Sequence, residues 1–244
     1  MFINVLRAER MKLHHSPVWL AFFILPLLPA FMGTFNYVQN IGILQNQWYS
    51  LWTQHTLFTC YFFLPAIIGV YCSYLCRLEH MNHNWNMVMS SPVPIPYIYF
   101  SKLVIASVMV FLTQIWIGIL FVISGKLCGL ISPVPHELTE WLFYGVVGGI
   151  VICAVQLCVS LMIRSFAVPV GIALIGGIAG MAAIARGYGG WFPYSLQGIG
   201  MRANQPEGSM QCSIEQFVII SFFYLAVCSI FAAVWLKKRD VDAG

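Results

Sequence analysis

At 244 residues, with 60% hydrophobic and 8% charged side chains and a mean hydropathy of +0.82, the chain lacks the surface of a water-soluble globule, in which about a quarter of residues are charged. Its formal charge of +4 arises from 12 Lys and Arg against 8 Asp and Glu, scattered rather than clustered. A nucleic-acid-binding face is thereby excluded, and a multi-span membrane protein remains.

In the first sixteen residues, Phe2, Val5, Leu6 and Leu13 alternate with Arg7, Glu9, Arg10 and Lys12 at roughly helical spacing. This pattern suits an interfacial helix over 1–16 on the inner leaflet, or a basic leader. "RAERMKLHHS" interrupts the start and no small-residue cleavage site follows, so the first apolar segment is expected to stay as an anchor.

A helix crosses a bilayer core with about 20 apolar residues, and six runs qualify: roughly Pro17–Tyr37, His55–Cys76, Leu103–Ser124, Glu140–Ile163, Ala167–Ala185 and Ile214–Leu236. Pro26, Pro29 and Pro65 are expected to kink the first two. With a cytoplasmic N-terminus, the inside segments hold Arg7, Arg10, Lys12, Arg77, Lys102, Arg164, Lys237, Lys238 and Arg239, and the outside ones Lys126, Arg186 and Arg202. This asymmetry predicts an all-α membrane protein with six transmembrane helices and both termini cytoplasmic. Trp19, Tyr97, Tyr99, Trp141 and Trp235 read as an interfacial aromatic belt.

Between the second and third spans, residues 77–100 form a cytoplasmic loop on this topology. Leu78, Met81, Trp85, Val88 and Met89 fall on one apolar helical face, and Glu79, His80, Asn82, His83, Asn84 and Asn86 take the rest of the wheel. Pro92, Pro94 and Pro96 predict an extended exit before the third span begins near Ser101. Such a short amphipathic helix could carry movement from a partner into the spans, or simply rest on the headgroups. His80 and His83 beside Glu79 have the spacing of metal ligands, but solvated or partner-facing polar residues are the plainer reading.

Inside the spans, Gln114 and Gln156 are expected to face another helix or a substrate path. Gly176 and Gly180 make a G-x-x-x-G face for close helix packing. The loop over 186–213, with Tyr188, Trp191, Phe192 and Tyr194, reads as extracellular, either an interfacial anchor or a surface meeting an amphiphilic peptide. The stretch Val38–Gln54, with Trp48, Tyr49 and Trp52, reads the same way. Most of the eight cysteines lie in or beside apolar runs as small hydrophobes, and a disulfide between Cys128 and Cys212 remains open. No G-x-x-x-x-G-K-[ST] loop, G-x-S-x-G or H-E-x-x-H occurs, so no catalytic site and no metal site are expected on this chain.

"LEHMNHNWNMVMSSPV…YIYFSK" resembles the loop between the second and third spans of permease subunits of lantibiotic-immunity ABC transporters, within the ABC-2 permease group. The matching positions are Glu79, His80, Asn82, Trp85, Ser91, Pro92, Ser101 and Lys102, and "WFPYSLQGIGM" is similar to an aromatic stretch before the last span. The chain departs from that pattern in its Pro94-Ile95-Pro96 run. The resemblance implies a single permease domain over 1–244 in a bacterial cell membrane, exporting lantibiotic or similar antimicrobial peptides. It implies a separate ABC ATPase in two copies that binds ATP and Mg, and a second, different permease. It also implies that Glu79, His80, Asn82, Trp85, Met89, Ser91 and Pro92 couple to the ATPase, while Gln114, Gln156, Trp191 and Tyr194 are candidates for the substrate path. Export of a drug, lipid or ion, or a non-transporting membrane sensor or assembly factor, is the alternative.

Overall fold

Hydrocarbon offers a peptide group no partner, so a chain this apolar must satisfy its backbone internally. The computed structural model describes residues 1–14, 16–81, 85, 92–203 and 205–238, and among these all regular structure is helical. Helix α1 (Phe2–Leu13) precedes six helices or helix pairs long and apolar enough to span a membrane.

The first span comprises α2 (Val18–Ile24) and α3 (Leu27–Gln39), interrupted at Leu25 and Pro26 as the proline predicts. The second comprises α4 (Gln47–Phe58), a π-helical segment Thr59–Phe63 and α5 (Leu64–His80). Pro65 follows that π segment, and lacks the N–H that would continue a regular ladder. The third span, α6, runs Ile95–Leu127; the fourth, α7, Leu138–Met162; the fifth, α8, Ala167–Ala185. A 3₁₀ turn (Gly189–Trp191) and the short α9 (Leu196–Gly200) precede the sixth, α10 (Ile214–Lys238).

Three sequence expectations need correction. The second span begins at Gln47 rather than His55, because Trp48, Leu51 and Trp52 of "QWYSLWTQ" supply a buried face. The third begins at Ile95, since Pro94 caps it and Pro96 occupies the first turn, where a missing N–H is harmless. Trp141 and Tyr99 are buried rather than interfacial: Trp141 stacks on Trp52 with centroids 5.0 Å apart, and Phe121 meets Trp52 edge-on at 4.9 Å. Each such pair contributes about 0.5–1.5 kcal/mol beyond its area burial.

The outer faces are apolar: Phe31, Ile175 and Phe222 are 71, 67 and 69% exposed, the arrangement of a lipid-facing bundle. Inside, the second span packs on the fifth and fourth, the third on the fourth, and the sixth on the fourth and third.

The long segment before the last span is not a surface loop throughout. Tyr194 through Met201 are buried, and α9 lies against the fourth span. Glycine makes room for it: a methyl group on Gly148 would come within 2.6 Å of the Gln197 backbone, and one on Gly176 within 2.7 Å of the Tyr194 ring. Irregular backbone at this depth is tolerated because protein, not lipid, surrounds it. The G-x-x-x-G face of α8 therefore receives a segment of its own chain.

Candidate functional site

Two clamps converge on the last turn of the second span, beside the loop that joins it to the third. The first is a buried charge network. Lys102, fully buried in the first turns of α6, donates to Glu79 Oε1 at 2.8 Å, to both Glu9 oxygens at 3.1 Å and to the Leu75 carbonyl at 2.8 Å. Lys12 donates to Glu9 at 2.6 Å and also pairs with Glu79. Two carboxylates and two ammonium groups thus balance. Each is expensive to bury alone and tolerable only because the others are present.

The second clamp uses the adjacent residue on another face. The Trp85 indole N–H lies 3.0 Å from His80 Nδ1, and His80 Nε2 lies 2.8 Å from the Ser160 carbonyl at the end of the fourth span. A proton on Nε2 satisfies both bonds at once. Arg77 lies over the Phe166 ring, 5.7 Å from its centroid, adding a contact to the turn between the fourth and fifth spans. The end of the second span is consequently tied to α1, to the third and fourth spans, and to the turn preceding the fifth.

Of the residues read from sequence as contacting an ATPase, Glu79 and His80 belong to the last turn of α5, which ends where Met81 becomes extended. Glu79 is 2% exposed and faces Lys102 and Lys12. Trp85 is buried and Pro92 exposed, while Asn82, Met89 and Ser91 lie outside the described residues. Glu9 and Lys12 were absent from the sequence-derived site. Their signal was present, because Glu9 interrupts the apolar stripe Leu6, Glu9, Leu13.

Three of the four residues considered for a substrate path seat the buried segment. With its amide oxygen toward Tyr194, Gln156 accepts from that hydroxyl at 2.7 Å and from the Ala173 N–H at 3.2 Å, and donates to the Pro169 carbonyl at 3.1 Å. Gln114 reaches the Met201 sulfur at 3.3 Å. Trp191 stands apart at 62% exposure, its carbonyl accepting from Tyr224 at 2.8 Å. Gly180 lies against the backbone of Tyr194 and Ser195. Trp48 and Trp52, read as surface aromatics, are interior: Trp52 donates to the Met201 carbonyl and Trp48 to that of Ser132, both at 2.9 Å. All eight cysteines are free, Cys128 and Cys212 included.

Among the described residues, six helical segments are long and apolar enough to cross a membrane. The family description "ABC-2 family transporter protein" matches residues 5–180, more than two-thirds of the chain. The chain belongs to the ABC-2 transporter family. Such permeases generally lack an ATPase domain of their own and work with an ABC ATPase. No curated protein and no solved structure matches the chain.

Proposed function

We propose that this chain is the permease subunit of an ATP-driven exporter that removes lantibiotic or similar antimicrobial peptides from a bacterial cytoplasmic membrane. In this reading both termini and the loop over 77–100 are cytoplasmic. Two copies of a separate ATPase bind ATP and Mg, and a second, different permease completes the pore. The support for the substrate is the resemblance of the loop carrying Glu79, His80 and Trp85; the support for the mechanism is their geometry.

The observation that carries the mechanism is the paired clamp on the last turn of α5. A push delivered near Trp85 reaches His80, then the end of the fourth span through the Ser160 carbonyl. Through Glu79 the same push reaches Lys102 and the third span, and α1 moves with them. Glu79, His80 and the buried Trp85 accordingly hold the contact surface in place, and Asn82, Met89, Ser91 and Pro92 are assigned to the surface itself.

The test co-expresses the chain with its neighbouring ATPase and permease in a peptide-sensitive bacterium. Raised resistance to a lantibiotic, lost when the ATPase cannot hydrolyse ATP, is the expected result. Unchanged sensitivity with all three proteins in the membrane would remove the substrate assignment. Trp85→Ala should reduce ATPase co-purification without lowering membrane insertion, and undiminished co-purification would remove the coupling role.

A further inference from the structure

Where the third, fourth and sixth spans meet, a groove of about 430 Å³ runs along the side of the bundle. Phe100, Val104 and Phe111 of α6 and Leu225 and Ser229 of α10 line it, and Ile150 of α7 completes it. The three α6 residues are exposed, so the groove is open along its length. From Phe100 to Phe111 the helix rises about 16 Å, roughly half of a hydrocarbon core of about 30 Å. Because α6 begins at Ile95 and α1 packs against it, the groove lies in the leaflet nearest α1.

Its lining selects hydrocarbon. The hydroxyls within it are satisfied by their own helices: Ser107 donates to the Leu103 carbonyl at 2.7 Å, and Ser229 to that of Leu225 at 2.6 Å. A polar solute would give up its water there and gain no partner. A helix about 10 Å across would take up on the order of 1,300 Å³ over the same length, several times the volume of the groove. A single acyl chain is slim enough to lie in it, and packs at carbon contacts of about 4 Å.

The charge at the mouth selects the headgroup. Beyond Ser229, α10 continues for about 12 Å to Lys237 and Lys238, both exposed on its last turn. Among the described residues at this end, the carboxylates are Glu9 and Glu79, both buried and paired with Lys12 and Lys102. Arg7, Arg10, Arg77 and Arg164 are exposed on the neighbouring segments; Asp240 and Asp242 lie outside the described residues. Lysine stems stay in hydrocarbon while their ammonium groups reach headgroup depth. Basic residues beside a groove between spans suit an anionic headgroup.

We propose that this groove holds an anionic phospholipid as a resident partner, with one acyl chain between Phe100 and Phe111 and its phosphate at Lys237 and Lys238. On the orientation given above, the lipid belongs to the cytoplasmic leaflet. It is a companion of the bundle rather than cargo, and it supports α6 on the side turned away from Lys102. The inference needs only that the chain spans a membrane, and it stands apart from the identity of any exported substrate.

The test purifies the full chain in mild detergent and follows lipid retention by native mass spectrometry. Phosphatidylglycerol and phosphatidylcholine of identical chains are titrated in parallel. The chain should retain the anionic lipid at least about fivefold more strongly, and Lys237→Gln with Lys238→Gln should remove that margin. Val108→Trp, which places an indole in the groove, should weaken retention of both lipids, whereas Ile175→Trp on the exposed face of the fifth span should not. Val108 is exposed, so folding should survive; an unchanged thermal midpoint checks this, and Val104→Phe is the milder filling. Equal retention of the two lipids, retention of neither, a margin that survives the paired lysine variant, or indifference to both filling variants would each overturn the proposal. If Val108→Trp instead breaks a lipid-free dimer, the groove is an interface between copies of this chain, and the proposal fails.

Discussion

Lys102 shows how one buried charge organises its surroundings. Its ammonium has four oxygen partners within 3.1 Å, from α1 and the second span, with no exposure to solvent. Lys102→Met would leave Glu9 and Glu79 competing for Lys12, and breaking a buried pair from one side costs about 3–5 kcal/mol. A clear drop in the thermal midpoint of the detergent-solubilised chain is expected. The double variant Glu79→Gln with Lys102→Met should recover part of that loss, because Glu9 and Lys12 then pair alone; an additive double mutant would show that Glu79 and Lys102 are not coupled. Cys128 and Cys212 offer a second residue-scale test. Burial pushes both thiols above the ordinary thiol range. Less thiolate forms at neutral pH, so maleimide labelling of either should be slow there and accelerate as pH rises toward and past that range.

Among the elements, the segment over Gly189–Gly200 depends most on its neighbours. Gly148→Ala would drive a methyl into the Gln197 backbone, which has no flexible side chain to yield, whereas a methyl on Gly171 meets nothing within 4 Å. Gly148→Ala should lower the thermal midpoint, and Gly171→Ala should leave it unchanged or raise it by the equivalent of about 0.5–1 kcal/mol. Equal behaviour of the two would mean that the close approach does not contribute to stability. The six spans themselves were legible in sequence because apolar length is a property of one segment. The burial of Tyr194 to Met201 was not, because "YSLQGIGM" is short and mixed, and its place depends on glycines that lie in the fourth and fifth spans. Likewise Trp141 looked like a belt residue and Trp52 like part of an outer loop until they met each other. Glu79 was read as a contact for a partner because its own partners, Glu9's neighbour Lys12 and Lys102, sit far away in the chain.

For the whole molecule, the decisive question is which way the bundle faces. Pro92 and Gly208 are exposed and lie in segments that six crossings put on opposite sides. In a background freed of reactive native thiols, Gly208→Cys should react with a membrane-impermeant label on intact cells, and Pro92→Cys only after permeabilisation. The reverse pattern would invert the orientation. The distribution of basic residues predicts this orientation; what it could not show is that the loop-bearing end is tied by the buried Lys102, Glu79, Glu9 and Lys12 network, while the opposite end adds aromatic stacking to its hydrogen bonds.

The buried charge network also sets an order of events in time. Glu9 precedes Lys102 by 93 residues, which at synthesis rates of about 5–20 residues per second is a delay of about 5–19 s. Throughout that interval Glu9 has only the cations of its own helix, among them Lys12, and Glu79 arrives before its own deeper partner does. The amino-terminal helix must therefore wait at the wet surface, and it closes against the bundle only once the third span has delivered Lys102.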